Sequence, residues 1–216
     1  HTPPGVALRE APVVSLVRVV ATSTKTSEGS ETQVERVADY VGETEPRYLL
    51  VQKAPHTHAL KPGQLILAPL SRSAAGRLVL AAGTRHALEV APGEQRAVAG
   101  FVLGLRAPPS EKPADRLDQW IALSLHSVQV ARLVGFDALT RHAPEVARVV
   151  TPERLERLAQ PLFETETSAD RKAAVLRLLA VVGRFDAADL LARRWDSLSP
   201  PRLQHLAAGV MARFPT

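Results

Sequence analysis

His1, His56 and His58 are the residues whose types and spacing come closest to metal chemistry. A free N-terminal amine and the His1 ring together chelate one copper ion. A second imidazole completes a three-nitrogen set that suits planar Cu(II). His56 and His58 stand two apart, so on a strand both rings project from one face. Copper is therefore the candidate cofactor, with His1, His56 and His58 as its candidate ligands. The set needs a processed terminus, because only a free amine at His1 supplies the first nitrogen. The plainer alternative is that His1 is left by trimming and that residues 55–58 form an exposed polar turn.

A second chemistry is electrostatic. The chain carries 27 basic and 22 acidic side chains, a formal net charge of +5. Residues 168–216 hold eight of the basic and four of the acidic ones. The longest basic runs there are the pairs Arg171–Lys172 and Arg193–Arg194, the candidate contacts for an anionic partner. With Arg177, Arg184, Arg202 and Arg213 they could line one face and hold nucleic acid. Adjacent residues on a helix diverge by about 100°, however, so a solvated helical surface is the expected reading. Single-strand binding by a β-barrel also needs stacked aromatics. The first half offers Tyr40, Tyr48 and Phe101.

Signatures of catalysis do not assemble. No Gly-x-Ser-x-Gly elbow, His-Glu-x-x-His pair or Gly-x-x-x-x-Gly-Lys loop occurs. Ser124 and Ser127 flank His126, but helix neighbours point apart. His86 has no obvious partner, and His142 lies near Glu145 without a converging third ligand. Glu164 and Glu166 read as a polar loop before a helix. The chain has no cysteine, which excludes a disulfide framework, a thiolate nucleophile and a Cys-based zinc site. A non-enzymatic protein is expected.

The elements that must position these residues follow from pattern. The 216 residues are 45% hydrophobic and 23% charged, which excludes wholesale disorder and a fibrous chain. Residues 1–11 read as an extended tail. Residues 12–107 carry short β-branched and Leu-rich runs separated by turn signals, the pattern of a small barrel. These runs are 13–21, 32–41, 48–51, 65–67, 78–80, 87–90 and 98–105. The last contains Gly100 and Gly104, which suggest a bend in a closing strand. Three prolines in residues 108–113 suit a stiff connector, assigned to 108–114. Residues 115–216 read as helices. One long helix carries Leu117, Trp120, Ile121, Leu125 and Val128 and runs out near Gly135. Others begin at Thr151-Pro152-Glu153, at Ser168-Ala169-Asp170, at an Asp186 cap and at Ser199-Pro200-Pro201. Short links between helices of three to four turns imply antiparallel hairpins of the HEAT kind. No apolar stretch approaches the ~20 residues of a membrane span.

The order of the first half resembles the OB-like, netrin-like domains of bacterial exported proteins, fold relatives of the tissue inhibitors of metalloproteinases. The likeness covers residues 12–106. It rests on two strands around Ser27-Glu28-Gly29-Ser30, then Leu60-Lys61-Pro62-Gly63-Gln64-Leu65-Ile66-Leu67, then Gly76-Arg77-Leu78-Val79-Leu80. In the inhibitor family a processed N-terminal Cys chelates the protease zinc. Here the first residue is His1 and there is no cysteine, so that mechanism does not carry over. The resemblance implies a secreted or periplasmic location. A chain relieved of a secretory leader and a trimmed chain would both begin as this one does.

The expectation is an α+β protein, an N-terminal all-β OB-like barrel followed by a C-terminal antiparallel helical, HEAT-like domain. Its expected function is binding of another protein or an envelope component. Copper binding and nucleic-acid binding are the alternatives.

Overall fold

The computed structural model describes residues 3–27, 29–53, 59–81, 88–182 and 185–213. The chain up to Pro108 forms one compact unit together with Ser127–Val134, and Pro109–His126 forms a second with the chain from Gly135.

The first unit is built on a closed five-stranded barrel. Strand β1 (Val13–Val19) lies between β3 (Gly29–Val41) and β5 (Leu65–Arg72), antiparallel to both. β3 pairs antiparallel with β4 (Arg47–Lys53), and β5 with β6 (Leu78–Leu80). The ring closes where β4 meets β6 in parallel, with Val51 opposite Val79. Strand β2 (Thr24–Thr26) extends β3, and β7 (Leu88–Glu89) extends β5. Alternate residues fill the interior, among them Val17, Val34, Leu50, Ile66 and Leu70, all at most 1% exposed. That is the period of two by which a strand sends side chains to opposite faces.

β1 and β5 are buried on both faces, because helices cover the barrel wall. Helix α1 (Pro4–Glu10) packs on β5 and on α2 (Gln95–Arg106), and α2 packs on β3. Both helices correct the sequence reading. The expected tail over 1–11 contains α1, with Ala7 and Leu8 buried. The expected closing strand over 98–105 is α2, whose buried residues Val98, Phe101, Val102 and Leu105 fall at helical spacing. Gly100 and Gly104 point into open space and mark no bend. The strand expected at 32–41 is present within β3.

In the second unit, α3 (Pro113–Ser124) packs on α5 (Ala143–Val149) and α6 (Pro152–Phe163). α7 (Ala169–Val182) packs on α5, α6 and α9 (Pro201–Met211), and α8 (Phe185–Arg193) on α6 and α9. Three successive hairpins therefore stack in two layers, α3–α6–α8 and α5–α7–α9. This fits a HEAT-like arrangement. Asp118 of α3 ties α6 in place by accepting from Arg154 Nη2 at 2.7 Å and from Arg157 Nη1 at 3.2 Å.

The single helix expected from 117 to 135 is two. α3 ends at Ser124, and α4 (Gln129–Arg141) starts four residues after Leu125. The turn brings Gly135 against the end of α3. A Cβ there would meet Leu123 C and Ser124 Cα at 2.8 Å, besides the Ser124 backbone nitrogen. Glycine at 135 is thus a contact requirement between two helices and no terminator. Thr151 caps α6 by accepting from Arg154 N, and Ser168 Oγ accepts from Arg171 N at the start of α7. Asp186 sits in the first turn of α8, not ahead of it, where a carboxylate still complements the helix dipole.

Candidate functional site

A concave surface lies between α7 and α9. One lobe, of about 680 Å³, is lined by Asp170, Ala173, Arg177, Arg202, His205 and Leu206. A second lobe, of about 220 Å³, shares Arg177 and Leu206 with the first and continues to Ala180, Gly209, Val210 and Arg213. Asp170, near the start of α7, accepts from Arg202 Nη2 at 3.1 Å near the start of α9. Arg213, just past the end of α9, donates to Ala180 O at 3.4 Å near the end of α7. The two helices therefore run in the same direction, as alternate helices of stacked hairpins must.

Helical periodicity explains who lines the groove. On α7, Ala173, Arg177 and Ala180 are separated by four and three residues. On α9, Arg202, His205, Leu206 and Gly209 follow the same rhythm, and Arg213 extends it. Leu176 and Val210 lie deepest, at 1% and 4% exposed, and Leu206 stays 38% exposed. The floor is apolar and low, because Ala173, Ala180 and Gly209 carry almost no side chain; a Cβ on Gly209 would meet nothing within 4 Å. The rim is cationic through Arg177, Arg202 and Arg213, which stand exposed with the His205 ring beside them, and Asp170, the one acid among the lining residues, is engaged by Arg202. Such a surface can hold an apolar ridge with carboxylates at its edges. It carries no nucleophile–base pair.

The residues singled out from sequence are placed as follows. His1, His56 and His58, the candidate copper ligands, lie outside the described residues, as does His86. Arg171 is half-buried, and its Nε is buried with no hydrogen-bond partner among the described residues. Lys172 is 6% exposed within α7. Arg193 is exposed and pairs with Asp189 at 3.0 Å. Arg194 lies over the Phe163 ring, 5.0 Å from its centroid. The pair at 171–172 thus opens α7 while the pair at 193–194 ends α8. Arg177, Arg202 and Arg213 share the groove instead. The sequence offered all eight basic residues of 168–216 alike, because which face of each helix is buried is not visible in spacing.

His142 stacks on Trp120 with ring centroids 4.8 Å apart. In the first unit, Tyr48 packs against the barrel core, Phe101 is 5% exposed, and Tyr40 donates its hydroxyl to Gln95 O at 3.3 Å.

A second polar cluster sits in the barrel wall. Asp39 accepts from the Ser15 and Thr44 hydroxyls, from Thr44 N at 3.0 Å and from Arg36 Nη1 at 3.3 Å. Burial pushes the Asp39 carboxyl up. The bonds from Ser15 and Thr44, with the Arg36 charge, outweigh it and hold the group below the ordinary carboxylate range. Burial, and then the neighbouring Asp39 charge, push the Tyr48 hydroxyl up. Ser15 is fully buried, and this cluster fastens the turn between β3 and β4.

Compared with protein-family models, characterised proteins and solved structures, the chain finds no match. Among the described residues, no group of three or more His, Asp or Glu is placed to hold a metal ion. None of their helices is long and apolar enough to cross a membrane.

Proposed function

We propose that the protein is a non-enzymatic binding protein that recognises another protein through its helical layer. The observation that carries this reading is the groove between α7 and α9, apolar along its floor and cationic along its rim. Protein interfaces combine these features, with a desolvated apolar centre and a polar rim. Arginine is also the charged residue most enriched at such surfaces. The barrel supports the reading indirectly. Its strand order, with β4 and β6 parallel, suits an OB-like scaffold, and the finer likeness to netrin-like domains of exported proteins belongs to the same proposal. A location outside the cytoplasm is part of it.

The test is affinity capture from an envelope extract, using the full chain and an Arg177→Glu variant of equal thermal stability. A protein retained by the wild type and lost by the variant supports the function. Identical retention by both, or no specific retention by either, removes it.

A further inference from the structure

We propose that the α7–α9 groove takes one kind of occupant, an amphipathic helix of a partner protein that carries acidic residues along both edges of its apolar stripe. This deepens the binding reading above and rests on it.

Three features select that occupant. The first is length. Arg202 and Arg213 mark the two ends of the groove and stand eleven positions apart along and just beyond α9, about 16 Å or three helical turns. A short helix laid along α7 and α9 would match that span. The second is floor shape. Ala173, Ala180 and Gly209 leave the groove shallow in side chain, so a partner backbone can come close, while the half-exposed Leu206 offers an apolar knob at mid-length. A helix seated in an apolar groove uses this combination. The third is charge. Arg177 stands where the two lobes meet, and no ion pair holds it among the described residues. Among the described residues Arg213 is bonded to a neutral carbonyl and to no carboxylate, and His205 Nδ1 lies 3.4 Å from Pro201 O. The cations without an ion pair, Arg177 and Arg213, therefore occupy the middle and one end of the cleft, and carboxylates along the edges of an apolar stripe would meet them.

The neighbouring depression between α6 and α8 lacks this vacancy. Its Arg157 is held by Asp118, its Glu164 accepts from Gln160 at 3.0 Å, and its Phe163 is covered by Arg194. It serves as the internal control.

The probe is a fluorescein-labelled, helix-stabilised peptide of Leu, Ala and Glu, about 14 residues or four turns long, with Glu on both borders of a Leu/Ala stripe. Binding to the full chain is read by anisotropy. Comparison probes are the same peptide with Lys for Glu, and phosphatidylglycerol vesicles. Arg177→Glu and Leu206→Glu alter exposed positions; circular dichroism and thermal melting check that they fold. The expected result is saturable binding of the Glu peptide, weakened about tenfold or more by either variant and by raised salt. Arg194→Glu should leave it unchanged, and the Lys peptide should not bind. The proposal is overturned if the Glu peptide fails to bind, if Arg194→Glu weakens it as much as Arg177→Glu, or if the vesicles bind as tightly through Arg177. Capture that still depends on Arg177 while the peptide fails would remove the acidic helix and leave the binding function standing.

Discussion

Arg9 and Arg106 cap each other's helices. Arg9 Nε, in the last turn of α1, donates to Leu105 O of α2 at 3.1 Å. Arg106 Nη1, in the last turn of α2, donates to Leu8 O at 3.2 Å and Ala11 O at 3.0 Å. The carbonyls at a helix C-terminus lack intrahelical partners, and a cation there also complements the helix dipole. Two helices 85 residues or more apart in the chain are thereby held end to end against the barrel wall. Replacing Arg106 with Ala leaves two partly buried carbonyls unmet. The expected loss is about 1.5–3 kcal/mol in denaturant unfolding, the range for hydrogen bonds to a charged group. A change below about 0.5 kcal/mol would contradict the reciprocal cap.

Asp39 makes stability depend on acid pH. Its carboxyl is held below the ordinary value of 3.8 in the folded chain. The ionised form is therefore favoured by folding, and the contribution is complete above the unfolded value. It disappears as pH falls through the lowered folded value. Asp39→Asn should cost about 1–3 kcal/mol at pH 7. The gap from wild type should narrow once the pH drops below about 4. Denaturant titrations at neutral and acid pH measure both, and a gap of constant size would oppose the assignment.

Gly135 and Gly100 separate contact from propensity. At Gly135 an added methyl group runs into the backbone of Leu123 and Ser124, which cannot swing aside as a side chain could. Gly135→Ala should therefore lower the melting temperature, by about 1–3 kcal/mol of stability in the manner of an overpacked site. At Gly100 the same methyl group meets nothing within 4 Å on a helix. Gly100→Ala should raise stability by about 0.5–1 kcal/mol. Similar shifts for the two would show that the close approach of α3 and α4 is wrong.

Leu103 and Leu105 distinguish helix from strand. In a strand they would share a face; in α2 they do not, with Leu103 62% and Leu105 4% exposed. Leu105→Ala should cost about 2–4 kcal/mol as a buried truncation. Leu103→Ala should stay within about 0.5 kcal/mol. Equal costs would restore the strand.

Much of the architecture was legible because it follows from local pattern. The apolar runs of β1 and β5, the alternation at the start of β3, turn glycines such as Gly63 and Gly76 with positive φ, and the Thr151 cap are written within a few residues of where they act. They were enough for a barrel followed by helices. The errors share a cause. In α2, Val98, Phe101, Val102 and Leu105 have the helical spacing, but their β-branched and glycine neighbours suited a strand equally well. Burial of that stripe against the barrel unit decided it. In α1, seven residues are too few to be stable alone, and the helix persists through its packing and the Arg106 cap. Gly135 read as a stop because its contact partner, Ser124, is visible only after the chain has turned.

The sequence by itself determined the order of barrel and helices, the basic excess after residue 168 and the absence of cysteine chemistry. Those depend on composition and on spacings shorter than one element. Only the tertiary structure decided which basic residues share a cleft. Arg171, Lys172, Arg177, Arg193, Arg194, Arg202 and Arg213 are equivalent as a charge count, but Lys172 is buried in α7, Arg193 pairs with Asp189 within α8, and the packing of α7 against α9 gathers Arg177, Arg202 and Arg213 around one apolar floor. Helix periodicity limits which residues share a face, and packing against neighbouring helices decides which face stays open to solvent.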